Sequence, residues 1–149
     1  MTGITVRRAK DSEYRDLADI WMRAWQSAGL AHPNDLGFDA LLDLFSNEAE
    51  HVWDLHVADL DGELAGFLAL KREERKIDQL FVAPEVQGNG VGLYLLNIGK
   101  QILPEGLWLR TAEQNHNALR FYERNDFTFQ RREARPEYDR FDIVLKWSP

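Results

Sequence analysis

The chain contains no cysteine. That excludes a disulfide framework, a thiolate metal site and a cysteine nucleophile, and it is consistent with a reducing compartment. Long apolar runs are also missing. No stretch approaches the ~18 residues of a membrane span. The opening Met1-Thr2-Gly3-Ile4-Thr5-Val6-Arg7-Arg8 has no apolar run behind its charges and does not read as a signal peptide. The expected location is cytoplasmic, with no membrane partner. Positive charge is in deficit: 18 Lys and Arg against 25 Asp and Glu leave a net charge of −7. The basic residues are scattered, and Arg131-Arg132 stands among acids, so the clustered basic face of a nucleic-acid binder is absent. An acidic chain attracts cationic partners, which weakly favours an amine ligand.

What is present suits one folded domain spanning residues 1–149. Hydrophobic residues make up 44% of the chain, with 5 Trp and 8 Phe, and a chain of this size buries roughly 68–70% of its unfolded surface. Ile4 to Arg8 alternates as a strand. Leu17, Ile20, Trp21, Ala24 and Trp25 recur at helical spacing, so a helix runs from Asp11-Ser12-Glu13 to about Ala28, with Gly29 ending it. A loop follows at Ala31-His32-Pro33-Asn34, then a second helix from Phe38 to Ala49. Strands are expected at Val52–Asp59, Glu63–Lys71 and Arg75–Val82, with a hairpin turn at Asp61-Gly62. A helix from Val91 to Leu103 is stopped by Pro104. A strand at Gly106–Thr111, a helix at Asn117–Arg124 and closing strands near Phe127–Arg131 and Tyr138–Trp147 complete the chain. The order is β-α-α-β-β-β-α-β-α-β-β. The β-α-β unit around the third helix implies one parallel strand pair in a mixed sheet.

Residues 77–92 read Ile-Asp-Gln-Leu-Phe-Val-Ala-Pro-Glu-Val-Gln-Gly-Asn-Gly-Val-Gly. Glycines placed where a strand turns into a helix allow positive φ and close approach. The free amides and the dipole of the helix N-terminus attract an anion, a pyrophosphate above all. Three spaced glycines by themselves are equally compatible with a tight turn. No Lys-Ser/Thr pair follows, so this is not a Walker loop, and Gly88, Gly90 and Gly92 do not have dinucleotide-fingerprint spacing. The stretch resembles the signature of the GNAT acetyltransferase superfamily, Gln/Arg-x-x-Gly-x-Gly/Ala, filled by Gln87, Gly90 and Gly92. Leu80-Phe81-Val82 is similar to the strand end that precedes it, and Ala83-Pro84-Glu85 to the connector. The likeness concentrates in residues 77–127. It implies a GNAT-like α/β fold, with a mixed, mostly antiparallel central sheet flanked by about four helices. It also implies acetyl-CoA as co-substrate and no metal. Amides of Gly88, Asn89, Gly90, Val91, Gly92 and Leu93 would hold the pyrophosphate, and the backbone of Leu80, Phe81 and Val82 would pair with the pantetheine arm like an added strand.

Residues 115–127 read Asn-His-Asn-Ala-Leu-Arg-Phe-Tyr-Glu-Arg-Asn-Asp-Phe. They resemble the second motif of that family, Asn-x-x-Ala-x-x-Phe-Tyr-x-x-x-Gly-Phe, with Asp126 where glycine is usual. Asp tolerates the left-handed conformation, so the turn is expected to persist. The resemblance places Asn115 on the pantetheine arm and Tyr122 near the thioester sulfur. Read structurally, Asn115 is a helix cap and Tyr122 a core residue. A phenol of pKa ~10 stays protonated at neutral pH and can supply a thiolate of pKa ~8.5, so Tyr122 is the expected general acid. No Gly-x-Ser-x-Gly elbow exists, which leaves direct attack by the amine as the simplest route, with the Val82 N–H as a candidate oxyanion donor. Asp78, on the strand leading to the loop, is the first candidate for the base. The bland alternative for Asp78 is a salt bridge to Lys76 or Arg110. Glu113, Glu85 and His32 are further candidates. Trp21, Trp25 and Trp53 fall in the half expected to face the acceptor, as core packing or as a cation cage. The expected acceptor is a small-molecule or peptide amine, and a homodimer is consistent with the resemblance. A non-catalytic acyl-CoA-binding module is the main alternative, and a nucleotide-binding protein a third.

Overall fold

A computed structural model describes residues 3–29 and 37–149. The loop expected around Ala31–Asn34, with His32 and Asp35, lies outside the described residues. Alternating and apolar segments form seven strands: β1 Ile4–Arg8, β2 Asp54–Leu60, β3 Glu63–Lys71, β4 Lys76–Val82, β5 Leu107–Ala112, β6 Thr128–Arg135 and β7 Arg140–Trp147. The helices are α1 Tyr14–Ser27, α2 Phe38–His51, α3 Val91–Ile102 and α4 His116–Arg124. The strands make one sheet in the order β1-β2-β3-β4-β5-β7-β6. Every neighbouring pair is antiparallel except β4 and β5. This is the mixed, mostly antiparallel sheet with four helices that the sequence implies.

Two apolar layers hold the helices to the sheet. On one face, α1 and α2 place Leu17, Ile20, Trp21, Leu41 and Phe45 against Leu55, Val57, Phe67 and Ala69 of β2 and β3. On the other, Val91, Leu95 and Leu96 of α3 and Tyr122 of α4 pack on Leu68, Leu70, Leu107, Leu109 and Leu145. β3 is sandwiched by both layers, which is why Ala65 to Leu70 reads as a continuous apolar run rather than an alternation. None of the described residues of β5, β6 or β7 belongs to the α1–α2 layer. That half of the sheet face carries charged side chains instead.

Among the boundaries that differ from the sequence reading, three bear on the sheet. Val52 and Trp53 close α2, their N–H groups donating to Glu48 O at 2.8 Å, so β2 begins at Asp54. β6 runs to Arg135, beyond the expected Arg131. Its charged Arg-Arg-Glu-Ala-Arg run does not alternate, yet it pairs with β7 throughout. Pro136 then starts a short 3-10 turn, with Asp139 at φ 49°, so β7 starts at Arg140 and not at Tyr138.

Phe45 is the hub of the α1–α2 layer. It is fully buried, with ring centroids 5.2 Å from Trp53, 5.4 Å from Phe67 and 5.9 Å from Trp21. Phe45→Ala is expected to cost about 3–5 kcal/mol through lost burial and a residual cavity. Denaturant unfolding should show this as a lower midpoint with an unchanged slope.

Candidate active site

The site begins where the sheet comes apart. β4 and β5 pair only at Lys76 and Trp108, and beyond that point the parallel strands diverge. Ala83 N–H donates to Ala65 O at 2.7 Å, and the register sets Phe67 against Phe81 and Gly66 against Val82. Bonded and non-bonded pairs alternate along an antiparallel ladder. Phe81 therefore commits its N–H and C=O to β3, whereas those of Leu80 and Val82 point away from it, into the gap beside β5. Gly66 makes the approach of β3 to β4 possible, since a Cβ there would stand 2.6 Å from Phe81 O.

A cleft of about 540 Å³ fills the opening. Its walls are Leu80, Phe81 and Val82 from β4, Gln87 to Leu93 without Asn89, and Asn115, Ala118, Phe121 and Tyr122 around α4. Gly88 at φ 89° and Gly90 at φ 85° shape the loop, and Gly90 is the N-cap of α3. The first intrahelical bond is Tyr94 N–H to Gly90 O, so the amides of Val91, Gly92 and Leu93 have no partner within the helix. No side chain caps them, and no acid stands in the first turn. Gly92 faces Phe121 and Val82, where a Cβ would stand in ordinary contact at 3.5 Å and 3.6 Å. Asn89 departs from the other loop residues. Its Nδ2 turns back to Val86 O at 2.9 Å, and it is absent from the wall. Among the described residues no Lys or Arg lines the cleft, so an anion bound there would rely on amides and the helix dipole. Among the described residues no group of three His, Asp or Glu side chains is placed to hold a metal ion.

A smaller cleft of about 70 Å³ lies beside the large one, lined by Asp78, Gln79, Arg110 and Thr111. Leu80, Phe81, Asn115, Ala118 and Tyr122 line both clefts and form the partition between them. Asn115 caps α4, its Oδ1 accepting from Ala118 N–H at 3.3 Å, which leaves its Nδ2 as a donor toward the clefts. Tyr122 is buried among Phe121, at 5.2 Å, and Phe127, at 5.3 Å. Among the described residues no group hydrogen-bonds its hydroxyl. Burial alone raises its pKa well above the ordinary phenol value.

Residues 14–127 match the acetyltransferase (GNAT) family model. The chain belongs to the GNAT family. It is 32% identical over 126 residues to the peptidyl-lysine N-acetyltransferase YjaB of Salmonella typhimurium, covering 83% of each chain. The solution structure of apo YjaB from Escherichia coli superposes with a TM-score of 0.76 at 27% identity, covering 97% of both chains. The PaiA N-acetyltransferase of Thermoplasma acidophilum, solved with coenzyme A, shares the fold at a TM-score of 0.76 with 19% identity, covering 98% of this chain and 99% of its own.

In this GNAT chain Asp78 occupies a β-bulge. Ile77 pairs with Leu70 and Gln79 with Ala69, leaving Asp78 as the extra residue of β4. Its carboxylate accepts from Trp53 Nε1–H at 2.8 Å and lies 3.1 Å from Lys76 Nζ and 3.8 Å from Lys71 Nζ. The ion pair to Lys76 weighed from the sequence is present, and that to Arg110 is replaced by Arg110–Glu133. The other carboxylates considered as bases lie outside both clefts. Glu113 is clamped by Arg132, with one bond at 3.0 Å, and Glu85 by Arg23 at 2.6 Å. Each arginine holds its carboxyl below the usual carboxylate range. Trp21 is core packing, and Trp25 stacks near Phe81 with centroids 6.2 Å apart. Sequence reasoning missed Gly66 and the Trp53–Asp78 bond, both of which depend on strand register. An isolated glycine in the Leu64–Leu70 run was the available signal for close backbone approach.

The buried phenol has a measurable consequence. A group whose folded pKa is raised contributes stability that is complete below its unfolded value, about 10 for tyrosine, and is lost as pH climbs toward the folded value. Tyr122→Phe removes that contribution. Above about pH 10 the wild type should lose stability faster than the variant, by up to ~1.4 kcal/mol per pH unit. Paired denaturant melts between neutral pH and pH 11 read the difference.

Proposed function

We propose that this enzyme transfers the acetyl group of acetyl-CoA to a primary amine by direct attack within a ternary complex. The observation that carries the reading is the meeting of the two clefts at Tyr122 and Asn115. One cleft, of about 540 Å³, is bounded by the unpaired amides of the α3 N-terminus. The other offers a carboxylate. The coenzyme A held by the Thermoplasma fold neighbour and the name of the Salmonella relative support the same reading.

In this scheme the diphosphate rests on the amides between Gly88 and Leu93, with Gln87 and Gly90 shaping the loop. The amides of the pantetheine arm pair with the outward-facing backbone groups of Leu80 and with Val82 C=O, where they compete with the 3.4 Å bond from Gln87 Nε2, and Asn115 Nδ2 donates to the arm. The acceptor nitrogen enters from the small cleft and attacks the thioester carbonyl. Negative charge then gathers on the carbonyl oxygen, where the Val82 N–H serves as donor. The C–S bond breaks as the C–N bond forms, and Tyr122 gives its hydroxyl proton to the leaving thiolate. The ammonium proton leaves toward Asp78, among the described residues the only carboxylate lining either cleft, through water because its oxygens are already engaged. Holding both reactants in this geometry can supply ~7–11 kcal/mol of the barrier reduction.

Cofactor binding, turnover and the rate–pH profile test the scheme. Isothermal calorimetry with acetyl-CoA should show binding, and thiol release should then require an amine. Binding without release for any amine would leave only an acyl-CoA-binding module. Tyr122→Phe should lower kcat by about 10²-fold or more, with cofactor affinity nearly unchanged. Equal turnover across pH in a folded variant would remove Tyr122 from the acid role. Asp78→Asn should shift the rate–pH profile, and an unchanged profile would show that the proton leaves by another path.

A further inference from the structure

The small cleft has a cation in its wall that the transfer scheme does not use. Arg110 of β5 lines it together with Asp78, Thr111 and Tyr122 and is, among the described residues, the only Lys or Arg lining either cleft. Its Nε–H donates to Glu133 Oε1 at 3.1 Å, and its guanidinium carbon lies 4.8 Å from the Trp108 ring centroid. Among the described residues neither Nη–H₂ donates to a partner. The guanidinium is thus pinned at one nitrogen and on one flank, with its terminal fork unfilled. A fork of this kind pairs with a carboxylate through two parallel hydrogen bonds.

The acids around it point the same way. A cleft selecting a second cationic group needs a carboxylate that is not already engaged. Asp78 is held by Trp53, Lys76 and Lys71. Glu133 is shared by Arg110 and Arg131, the latter at 3.5 Å. Asp142, which stands opposite Glu133 in the ladder, is 1% exposed and accepts from Arg135 at 3.0 Å and Arg140 at 2.9 Å. On this face arginine and lysine match or outnumber every one of these carboxylates, in a chain whose net charge is −7. A polyamine would bring its second cation against Arg110. A peptide lysine has no anion beside its reacting nitrogen.

We propose, resting on the transfer reading above, that the acceptor is an amino-acid-like amine whose carboxylate lies close to the reacting nitrogen and docks on the Arg110 fork. The amine then lies between Asp78 and the thioester, and the carboxylate orients it. The cleft of about 70 Å³ accommodates such a head group and sends the remainder of the molecule outward. Arg110 is a specificity-determining residue in this arrangement, and Glu133 and Trp108 are positioning residues.

The test uses the full chain at saturating acetyl-CoA, with thiol release measured for matched amines. L-amino acids are compared with their carboxamides, and spermidine and a lysine-containing peptide complete the panel. Amino acids should exceed their carboxamides in kcat/KM by about 10–100-fold, the range expected for a charge-assisted hydrogen-bond pair. Arg110→Gln should raise KM for the amino acids and erase that preference, and Arg110→Lys should restore part of it. The double variant Arg110→Gln with Glu133→Gln removes the unpaired carboxylate and guards against simple misfolding. Equal or better use of carboxamides, spermidine or the peptide by the wild type overturns the proposal, as does a preference that survives in a folded Arg110→Gln protein. Cofactor binding by calorimetry with no release for any amine overturns the transfer reading, and this proposal with it.

Discussion

The parting of β4 from β5 is the constraint from which the site follows. A central strand that loses its neighbour exposes a row of backbone donors and acceptors, and burying such groups unpaired costs about 1–3 kcal/mol each. The outward-facing groups of Leu80 and Val82, of which the Val82 carbonyl takes a 3.4 Å bond from Gln87 Nε2, therefore need an open cleft and suit a ligand able to pair with them. The same divergence sets the two clefts on either side of one partition. The bulge at Asp78 belongs to this design, since an extra residue bends β4 and strengthens its local twist. Trp53 and Lys76 hold the bulge residue from the α1–α2 side. The hinge of the splay is thus tied to the aromatic cluster around Phe45. Packing on one face of the sheet fixes where the backbone opens on its edge.

Charge is distributed in a way that the whole-chain total hides. A net charge of −7 would repel a polyanionic cofactor at long range. The large cleft answers with fixed dipoles rather than with lysine or arginine. Amides at a helix N-terminus act at short range and are already oriented, so no flexible side chain has to be ordered on binding. The small cleft is different. There the charges are side chains, Asp78 and Arg110, each held by a partner of opposite sign. The overall acidity that weakly suggests a cationic acceptor is carried elsewhere on the surface and says little about this face.

What the sequence could disclose follows the range of the interactions involved. Element order, the turn at Asp61-Gly62, the α3 N-terminus and the Asn115 cap are local, and each was legible from residues a few positions apart. The two glycine- and tyrosine-bearing stretches were legible as family signatures for the same reason. The splay, the bulge and the partition are relations between strands distant in sequence. No pattern within Lys76–Val82 announces that β5 will leave after one pairing. Likewise Asp78 reads equally as a base or as an ion-pair partner, because Trp53 and Lys71 reach it only through the fold. The length of β6 was missed because it is an edge strand with charged residues on both faces. Its stability comes from pairing with β7 and from arginine–carboxylate contacts rather than from an apolar stripe.

The turn after α4 links a local strain to the properties of the partition. Asp126 stands at φ 72° where the related motif has glycine, a conformation that costs an ordinary residue about 1–2 kcal/mol and that Asp tolerates better than most. The reversal it permits lets Phe127 N–H donate to Tyr122 O at 3.0 Å and lays the Phe127 ring against the phenol. Phe121 closes the opposite side. The ring is therefore desolvated by its own helix and the residue just past it, while its position in the walls of both clefts keeps it beside any reacting group. A phenol in open solvent would exchange protons with water as readily as with a substrate. One enclosed in this way stays protonated, and because burial makes it a weaker acid than a thiol, its first service to an expelled thiolate is a hydrogen bond that strengthens as charge gathers on sulfur.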